Sequence, residues 1–506
     1  MKIVIAGGGT AGWITLAYIV AKLDADVTII HSDEIPIIGV GESTAPTIKQ
    51  IADAVGVEEH VWMKDSKATF KYGGEFYNFK SEGSKWFHSF DAEIPHQAFD
   101  LPIVDFGKET FEQELTSLDY FLKLRQQDPS YDIDKFNKFH GPLQHLLDSE
   151  TGHYNISGKD NIGRFPGYAY HVNAYEYSQC LRKHTLKDKF TEIVDTIDDV
   201  ELDDSGVKSL LLKSGKRVYG DLFIDCTGFR RMLISKLTDY VKFDGLLNDR
   251  AVAGCVKGLQ FNSAATQNHA QSEGWIWAIP TWGQVGSGYV HCSDFISEDE
   301  ACHKVERFWK DRGHVWKHAK TIKFEGGRSR HLSIKNVVAN GLSQSFIEPL
   351  EATSIMITSW TVIRLVEVIQ RYNNDWNEKS SRLLNSIMTK FMDNTKQFVK
   401  YHYQLSDRTE DYWMQYKNEN AVSEVNDVIS NSLTGPWPLR GETLINKFNW
   451  ISMLIGYDKP FDNKLRNITD EQLENYLHFS KISQENYKFI TRNNLSNEEI
   501  LRKIHS

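Results

Sequence analysis

The N-terminal segment changes its hydrophobic pattern twice within a short stretch. Residues Lys2–Ala6 form an apolar run that ends at glycine, and Trp13–Leu23 carries apolar residues at helical spacing. A second run, apolar and rich in β-branched residues, follows at Asp26–Ile30. A strand, a glycine turn, a helix and another strand make a βαβ unit, and such units build parallel sheets. The pattern therefore predicts an α/β fold.

Three later apolar segments are separated by turn residues and predict a small β-meander. They are Ile193–Val200, Gly206–Leu212 and Arg217–Asp225, with the turn-forming sequences DDSG and SG between them. A further strand-rich block is predicted over residues 251–340.

From about Ser354 the apolar spacing becomes helical. Residues 355–371 form the first predicted helix of this part, and helical patterns continue to the C-terminus. Two capping boxes, T-x-x-Q at Thr469 and S-x-x-E at Ser496, each predict the start of a helix.

The length and composition indicate a large globular protein. The chain has 506 residues, of which 41% are hydrophobic and 25% are charged, and this excludes a disordered protein. We predict mixed β-sheets in an α/β box over residues 1–360, in which residues 50–160 partly form a lid or substrate region. A mostly helical subdomain over residues 361–506 is predicted to cover the substrate site.

Charge and cysteine content narrow the class of protein. The 58 basic and 68 acidic residues give 58 − 68 = −10, which argues against binding to nucleic acid or to an anionic membrane. No uninterrupted run of about 18 apolar residues occurs, so no membrane span is predicted. The five cysteines form no CxxC pair, which indicates reduced thiols in a cytoplasmic protein. No metal site is predicted, and nothing in the sequence decides between a monomer and a homo-oligomer.

A glycine-rich turn follows the first predicted strand. Gly7, Gly9 and Gly12 have the G-x-G-x-x-G spacing, and with Thr10 and Ala11 they would present a helix N-terminus to a pyrophosphate. This arrangement predicts a dinucleotide site. His31 stands where an acidic residue commonly holds the ribose, so it is either a ribose contact or a solvent-facing strand end.

The segment after the second strand suits a flat cofactor, because it offers small side chains and backbone N–H groups. Its candidate residues are Gly39, Gly41, Glu42, Ser43 and Thr44. Together with the N-terminal GGGTAGW, this GVGESTAPTI segment resembles the flavin-dependent halogenases, the family of the tryptophan halogenases, which is built on the flavin monooxygenase fold. Further blocks that carry the resemblance are Phe70-Lys71, DCTGF at 225–229, WIWAIP at 275–280, FIEPLEATS at 346–354 and FVKYHYQLSDRTEDYW at 398–413.

The resemblance implies FADH2-dependent halogenation of an electron-rich aromatic molecule. Reduced flavin and O2 would give a flavin hydroperoxide, and a halide ion would attack it to form hypohalous acid. The resemblance places Lys71 as the residue that guides this oxidant, where the alternative is an ordinary surface lysine. Glu351 would assist it, where the alternative is a charge that caps the following helix. Because only one G-x-G-x-x-G unit is present, a separate flavin reductase is expected to supply the FADH2.

The family also implies a halide site and a wall between the flavin and the substrate. The backbone amides of Thr353 and Ser354, at a predicted helix N-terminus, are the candidates for the halide. Ser354 replaces a glycine that is usual in the family. The candidate wall residues, which would otherwise be ordinary core, are Trp275, Trp277, Ile279, Pro280 and Phe346.

The sequence also bears on the substrate. Family members that act on free tryptophan carry a Tyr-Tyr pair, and this chain has none. We therefore expect an indole-like small molecule, with Trp437 and Trp450 as candidate stacking residues. A flavin-dependent aromatic monooxygenase and a non-catalytic flavin-binding protein are the alternatives.

Overall fold

A computed structural model of the protein describes residues 1–34, 41–91, 117–155, 167–259, 263–434, 445, 447–461 and 468–506. The strands in these residues are β1 (Lys2–Ala6), β2 (Asp26–His31), β3 (Glu42–Ser43), β4 (Thr69–Lys71), β5 (Gly73–Tyr77), β6 (Lys85–Ser89), β7 (Thr151–Asn155), β8 (Ala169–Val172), β9 (Phe190–Val194), β10 (Ile197–Asp203), β11 (Gly206–Leu212), β12 (Arg217–Val218), β13 (Leu222–Asp225), β14 (Tyr240–Lys242), β15 (Arg250–Lys257), β16 (Ala265–Gln271), β17 (Gly274–Thr281), β18 (Gln284–His291), β19 (Lys317–Lys323), β20 (Gly327–Ser329), β21 (Ser333–Ile334), β22 (Val337–Ala339), β23 (Ser345–Phe346) and β24 (Asn494–Ser496).

The α-helices surround two larger sheets and make up most of the C-terminal part. They are α1 (Thr10–Lys22), α2 (Ile48–Val55), α3 (Glu59–Asp65), α4 (Ser117–Gln127), α5 (Ile133–His140), α6 (Leu143–Asp148), α7 (Ala174–His184), α8 (Glu298–Lys310), α9 (Thr353–Arg371), α10 (Glu378–Gln404), α11 (Asp411–Met414), α12 (Ala421–Thr434), α13 (Lys447–Gly456), α14 (Asp470–Asn493) and α15 (Asn497–His505).

The predicted βαβ unit lies at the centre of a six-stranded sheet with the order β21-β22-β13-β1-β2-β9. Strand β1 pairs in parallel with both β2 and β13, which places Ile5 opposite Ile29 and Ile224. These three side chains belong to the main core on one face of the sheet, whereas the alternating residues Val4, Ile30 and Phe223 belong to a second core cluster. The strands are therefore apolar on both faces, as in parallel sheets that are covered on both sides. The α/β prediction is confirmed.

The second large sheet has seven strands in the order β19-β15-β18-β17-β16-β5-β6 and is mostly antiparallel. Its strand β17 alternates between two environments, as the period of two in a strand dictates. Trp275, Trp277 and Ile279 join the main core, whereas Ile276 and Ala278 join a separate apolar cluster under α8.

The predicted meander is wrong in part. Only β10, β11 and β12 form the small antiparallel sheet. Strands β9 and β13, which lie at the ends of the predicted meander, instead pair in parallel with β2 and β1 in the six-stranded sheet. Local turn residues marked the hairpins correctly, but a parallel pairing joins segments far apart in sequence and leaves no local signal.

The C-terminal part is mainly helical, as predicted. Both capping boxes are present, with Thr469 and Gln472 at the start of α14 and Ser496 and Glu499 at the start of α15. Helix α9 packs on α1. It runs from Thr353 to Arg371, so the predicted boundary between the α/β box and the helical subdomain, at residue 360, falls inside this helix. Within the described ranges, none of the helices combines the length and apolar character that a bilayer crossing needs.

Candidate active site

A cavity of about 670 Å³ opens where the parallel strands of the six-stranded sheet end. The chain passes along it directly after β1, β2 and β13, and such carboxyl ends are where α/β sheets bind ligands. Candidate residues from the sequence that line it are Gly7, Gly9, Thr10, Ala11, His31, Gly41, Glu42, Ser43, Trp275, Trp277, Ile279, Phe346 and Ser354.

The glycine motif has a separate steric reason at each position. Gly7 has φ +112°, and a Cβ there would lie 2.3 Å from the carbonyl oxygen of Cys226. A Cβ on Gly12 would lie 1.9 Å from the carbonyl oxygen of Gly7, so the helix packs closely on the turn. A Cβ on Gly9 would have no atom within 4 Å, because this glycine faces the open cavity. These are the three functions expected of a dinucleotide-binding turn.

His31 lies on the cavity wall and is only 8% exposed, which excludes the solvent-facing alternative. Its Nε2 is 2.8 Å from Oε1 of Glu192, which also pairs with Arg182 at 2.6 Å. The imidazole ring meets the edge of Trp13, with 5.6 Å between ring centroids. A ribose contact by His31 stays a prediction.

The two tryptophans of β17 form part of the cavity wall. Their rings are edge-on, with centroids 6.2 Å apart, and Trp275 is fully buried. Pro280 lies off the cavity, and its carbonyl oxygen accepts a hydrogen bond of 2.7 Å from Thr69. Thr353 is fully buried and does not line the cavity, whereas its neighbour Ser354 does.

Lys71, at the end of β4, is 3% exposed, which excludes an ordinary surface lysine. Its Nζ donates a hydrogen bond of 2.9 Å to the carbonyl oxygen of Thr44 and lies 4.8 Å from the centre of the Phe90 ring. Burial lowers the pKa of Lys71 to about 7, and the negative charge of Glu351 opposes that shift. The amine is thus poised between its charged and neutral forms near neutral pH.

Replacing Lys71 by methionine is expected to stabilise the fold, by about 4–5 kcal/mol near pH 6 and by about 2 kcal/mol near pH 9. Below pH 7 the lysine is charged in both states, so the folded protein bears the full cost of burying the ammonium group. Between pH 7 and about 10.4 the unfolded chain binds more protons than the folded one, so wild-type stability recovers as the pH rises.

Denaturant unfolding at both pH values measures this difference, and the same substitution at the exposed Lys64 serves as the control. An equal loss of stability at both pH values in the Lys71→Met variant would contradict the expected cost of the buried charge.

Glu351 lies at the turn before α9, and its carboxylate is held between two imidazoles. His88 Nδ1 is 3.0 Å and His402 Nε2 is 2.9 Å from Oε1 of Glu351. Burial alone would raise the pKa of Glu351, but the charges and hydrogen bonds of the two histidines outweigh it and hold the pKa well below its usual value. Helix α9 has no side-chain cap hydrogen bond, so this carboxylate is bound by the two histidines and not by the backbone N–H groups of the helix.

The lining of the cavity reaches Pro349 and Ala352, the residues on either side of the Glu351 turn. Ala352 adopts φ +58°, a left-handed conformation that allows the chain to change direction into α9. The cavity thus ends one residue away from the buried Glu351, and the charge of Glu351 acts on the buried amine of Lys71. The fold therefore combines a cavity of about 670 Å³ after β1 with a buried lysine on β4 and, before α9, a glutamate whose charge acts on that lysine.

Comparison with known families shows which proteins this chain is related to. The family model for tryptophan halogenases matches residues 2–467. The chain belongs to the tryptophan halogenase family. This halogenase is 32% identical over 428 residues to the 7-chloro-L-tryptophan 6-halogenase KtzR of Kutzneria sp. (strain 744), covering 82% of this chain and 81% of that protein.

Two further similarities agree. The tryptophan 7-halogenase RebH of Lentzea aerocolonigenes is 30% identical over 434 residues, covering 82% of this chain and 78% of RebH. The solved structure of Tar14, a tryptophan C-6 flavin-dependent halogenase from taromycin biosynthesis, superposes with a TM-score of 0.83 at 25% identity, covering 100% of both chains. The predicted family and fold are confirmed.

Sequence reasoning about this halogenase missed His88 and His402. Nδ1 of His402 is 3.2 Å from the hydroxyl of Tyr457, and its ring stacks on Phe76 with centroids 4.7 Å apart. Nδ2 of Asn449 is 3.3 Å from Nε2 of His88. His402 falls in the FVKYHYQ block that carried the resemblance, so that block held a usable signal, whereas the strand sequence around His88 held none.

Glu348, three residues before Glu351, has a structural environment. It is buried and accepts hydrogen bonds from Asn248 at 2.6 Å and from the hydroxyl of Tyr403. Burial raises the pKa of Glu348 to about 7. The pKa values of these two glutamates are therefore shifted in opposite directions, because only Glu351 faces histidines.

Three candidates from the sequence remain, and the structure adds one cluster of side chains that could bind a metal ion. Gly39 and Trp437 lie outside the described residues, and Trp450 is buried against Phe398. Among the residues that the structure covers, Asp65, Cys180 and His184 place their ligand atoms within 4.8 Å of one another. Asp65 already binds both Lys183 and His184 at 2.8 Å, so ion pairing accounts for this cluster.

Proposed function

We propose that this protein halogenates an indole-type aromatic molecule, using FAD supplied as FADH2, O2 and a halide ion. The observation that carries the proposal is the burial of Lys71 within reach of the charge of Glu351, which is followed directly by the cavity-lining residue Ala352. An amine with a lowered pKa and a carboxylate kept ionised form an acid–base pair shielded from bulk water. A structural role alone would not require burying a lysine at this cost.

The cavity fits FAD. The open side of Gly9 and the N-terminus of α1 would hold the pyrophosphate, and His31 would lie near the ribose. Gly41, Ser43 and the tryptophan wall would then contact the ring system. Bound reduced FAD with O2 supplies the oxidising equivalents that turn a halide ion into hypohalous acid.

The residues of the chain control where that oxidant reacts. Lys71 would hold it, either through an ammonium hydrogen bond or as an N–halogen bond on the neutral amine, and both forms are accessible with a pKa of about 7. With the ammonium form, the aromatic carbon would take the halogen while the halogen–oxygen bond breaks, the hydroxide would leave as water with a proton from Lys71, and Glu351 would accept the ring proton and return it to the amine. With the N–halogen form, water would leave when that bond forms, and the bond would break as the halogen passes to the ring while Glu351 accepts the ring proton. Trp275 and Trp277 would keep water away from the oxidant.

The start of α9 is the proposed halide site. This helix has 19 residues, neither a side-chain cap nor an acidic residue in its first turn, and Ser354 on the cavity wall. Its positive end therefore favours an anion. We also propose that a separate flavin reductase provides FADH2, and that the protein, whose five cysteines are unpaired, is cytoplasmic.

Indole is expected to be halogenated at least tenfold more efficiently than free L-tryptophan, because the sequence has no Tyr-Tyr pair to clamp the amino acid. The test supplies reduced FAD, O2, bromide and either substrate, and mass spectrometry separates bromine addition from oxygen addition. Oxygen addition to indole would instead support a monooxygenase. Efficient and regioselective halogenation of L-tryptophan would contradict the substrate prediction while leaving the halogenase assignment intact.

A further inference from the structure

A buried chain of hydrogen bonds connects the cavity with the inside of the fold. Ser43 Oγ is 2.7 Å from Thr266 Oγ1, which is 3.0 Å from Nε2 of His171. Nδ1 of His171 is 3.1 Å from Thr69 Oγ1, which donates a hydrogen bond of 2.7 Å to the carbonyl oxygen of Pro280. Ser43 and Thr266 line the cavity, whereas His171 is fully buried.

The strands fix this chain in place. In the small sheet β3-β8-β4, His171 on β8 is opposite Ser43 on one side and Thr69 on the other. Thr266 comes from β16 of the seven-stranded sheet. All of these side chains are at most 7% exposed, so water does not compete for their hydrogen bonds.

The direction of every hydrogen bond in this chain follows from its last member, the carbonyl oxygen of Pro280. A carbonyl oxygen only accepts, so the single hydroxyl proton of Thr69 points to Pro280. The oxygen of Thr69 must then accept a hydrogen bond from the Nδ1–H group of His171. Burial, and then the charge of Lys71, hold the pKa of His171 well below its usual value, so the ring is neutral. Its Nε2 is then an acceptor.

The same reasoning extends to the cavity. Thr266 uses its proton on Nε2 of His171 and can only accept from Ser43. Ser43 in turn uses its proton on Thr266, which leaves only lone pairs on its Oγ for a molecule in the cavity. An isolated serine hydroxyl could donate or accept a hydrogen bond, but the hydroxyl of Ser43 already donates to Thr266 and can only accept from a molecule in the cavity.

We propose that the chain Pro280–Thr69–His171–Thr266 fixes Ser43 as a hydrogen-bond acceptor and thereby makes the cavity prefer reduced over oxidised flavin. The two forms differ in the chemistry of the ring, because reduced flavin carries an N–H where oxidised flavin carries a lone pair. An acceptor-only hydroxyl attracts the first and repels the second. This inference rests on the proposed binding of FAD, and it gives a protein supplied with FADH2 a way to discriminate against the oxidised form.

Anaerobic calorimetric titrations with oxidised FAD and with dithionite-reduced FAD test the proposal. Ser43→Ala is expected to weaken the binding of reduced FAD by roughly fivefold to tenfold and to leave that of oxidised FAD unchanged or tighter. Thr266→Val frees the serine proton, so oxidised FAD should bind more tightly and the preference for reduced FAD should fall by a similar factor. Thr266→Ser keeps the hydroxyl and should keep the wild-type ratio.

Three outcomes would overturn the proposal: equal losses for both flavin forms, a loss mainly for oxidised FAD, or a ratio that neither variant changes. If the wild-type protein binds neither form of FAD, the proposed function itself fails. A measurement without flavin guards against misfolded variants. In a ¹⁵N-histidine spectrum, the His171 signal, identified by its loss in His171→Asn, should show a neutral ring protonated at Nδ1, and protonation at Nε2 would refute the chain.

Discussion

Replacing Lys71 by alanine is expected to reduce halogenation of the aromatic ring about a thousandfold while hypohalous acid is still formed. The cavity proposed for the flavin does not include Lys71 in its wall, so the substitution leaves that space intact. What is lost is the enclosed amine that hydrogen-bonds Thr44 and that would hold the oxidant near the substrate.

The experiment measures two products at once. Mass spectrometry quantifies halogenated indole, and free methionine added to the solution traps escaping oxidant as its sulfoxide. In the Lys71→Ala variant the first product should nearly disappear and the second should increase. Lys64→Ala, which removes an exposed lysine of the preceding helix, should behave as wild type. The assignment of Lys71 is wrong if its alanine variant retains most of the ring halogenation.

Replacing Glu351 by glutamine is expected to lower the rate of ring halogenation about a hundredfold. The amide keeps the shape of the side chain but cannot accept the ring proton, and it removes the charge that faces His88 and His402. Because the carboxylate also raises the pKa of Lys71, that pKa should fall further below 7 in the variant. The pH dependence of the rate should therefore shift to lower pH.

Glu348→Gln is the matched control, because it makes the same change three residues away in the same segment. Its carboxyl group is bound by Asn248 and Tyr403, so we expect a loss of stability of about 1–2 kcal/mol and a nearly normal halogenation rate. Comparable rate losses in the two variants would show that the segment matters only for folding, and would remove Glu351 from the mechanism.

Much of the fold could be predicted from local sequence. The βαβ unit, the glycine turn, helix α9 and both C-terminal capping boxes each depend on residues a few positions apart. Helix α8 was not predicted inside the strand-rich block, although the capping box of Ser297 and Glu300 marks its start. The prediction of the meander was partly wrong because β9 and β13 pair with β2 and β1, which are far from them in the sequence.

The candidate site also combines residues that local motifs predict with residues that only the folded chain brings together. The resemblance indicated Lys71 and Glu351 from motifs alone, but it did not indicate that His88 and His402 would contact the glutamate. The two histidines are 314 positions apart (402 − 88) and meet only because β6 and α10 pack around the same carboxylate. The direction of the Ser43 hydroxyl likewise requires five strands, β3, β4, β8, β16 and β17, to be in contact.

The sequence by itself determined the family, the elements and the residue types available for the chemistry, because these depend on short spacings and on side-chain identity. The tertiary structure decided which of those groups are buried, which lie close to a charge and which form hydrogen bonds with one another. Desolvation and Coulomb interactions depend on distance in space, so the lowered pKa values of Lys71 and Glu351 exist only in the folded protein.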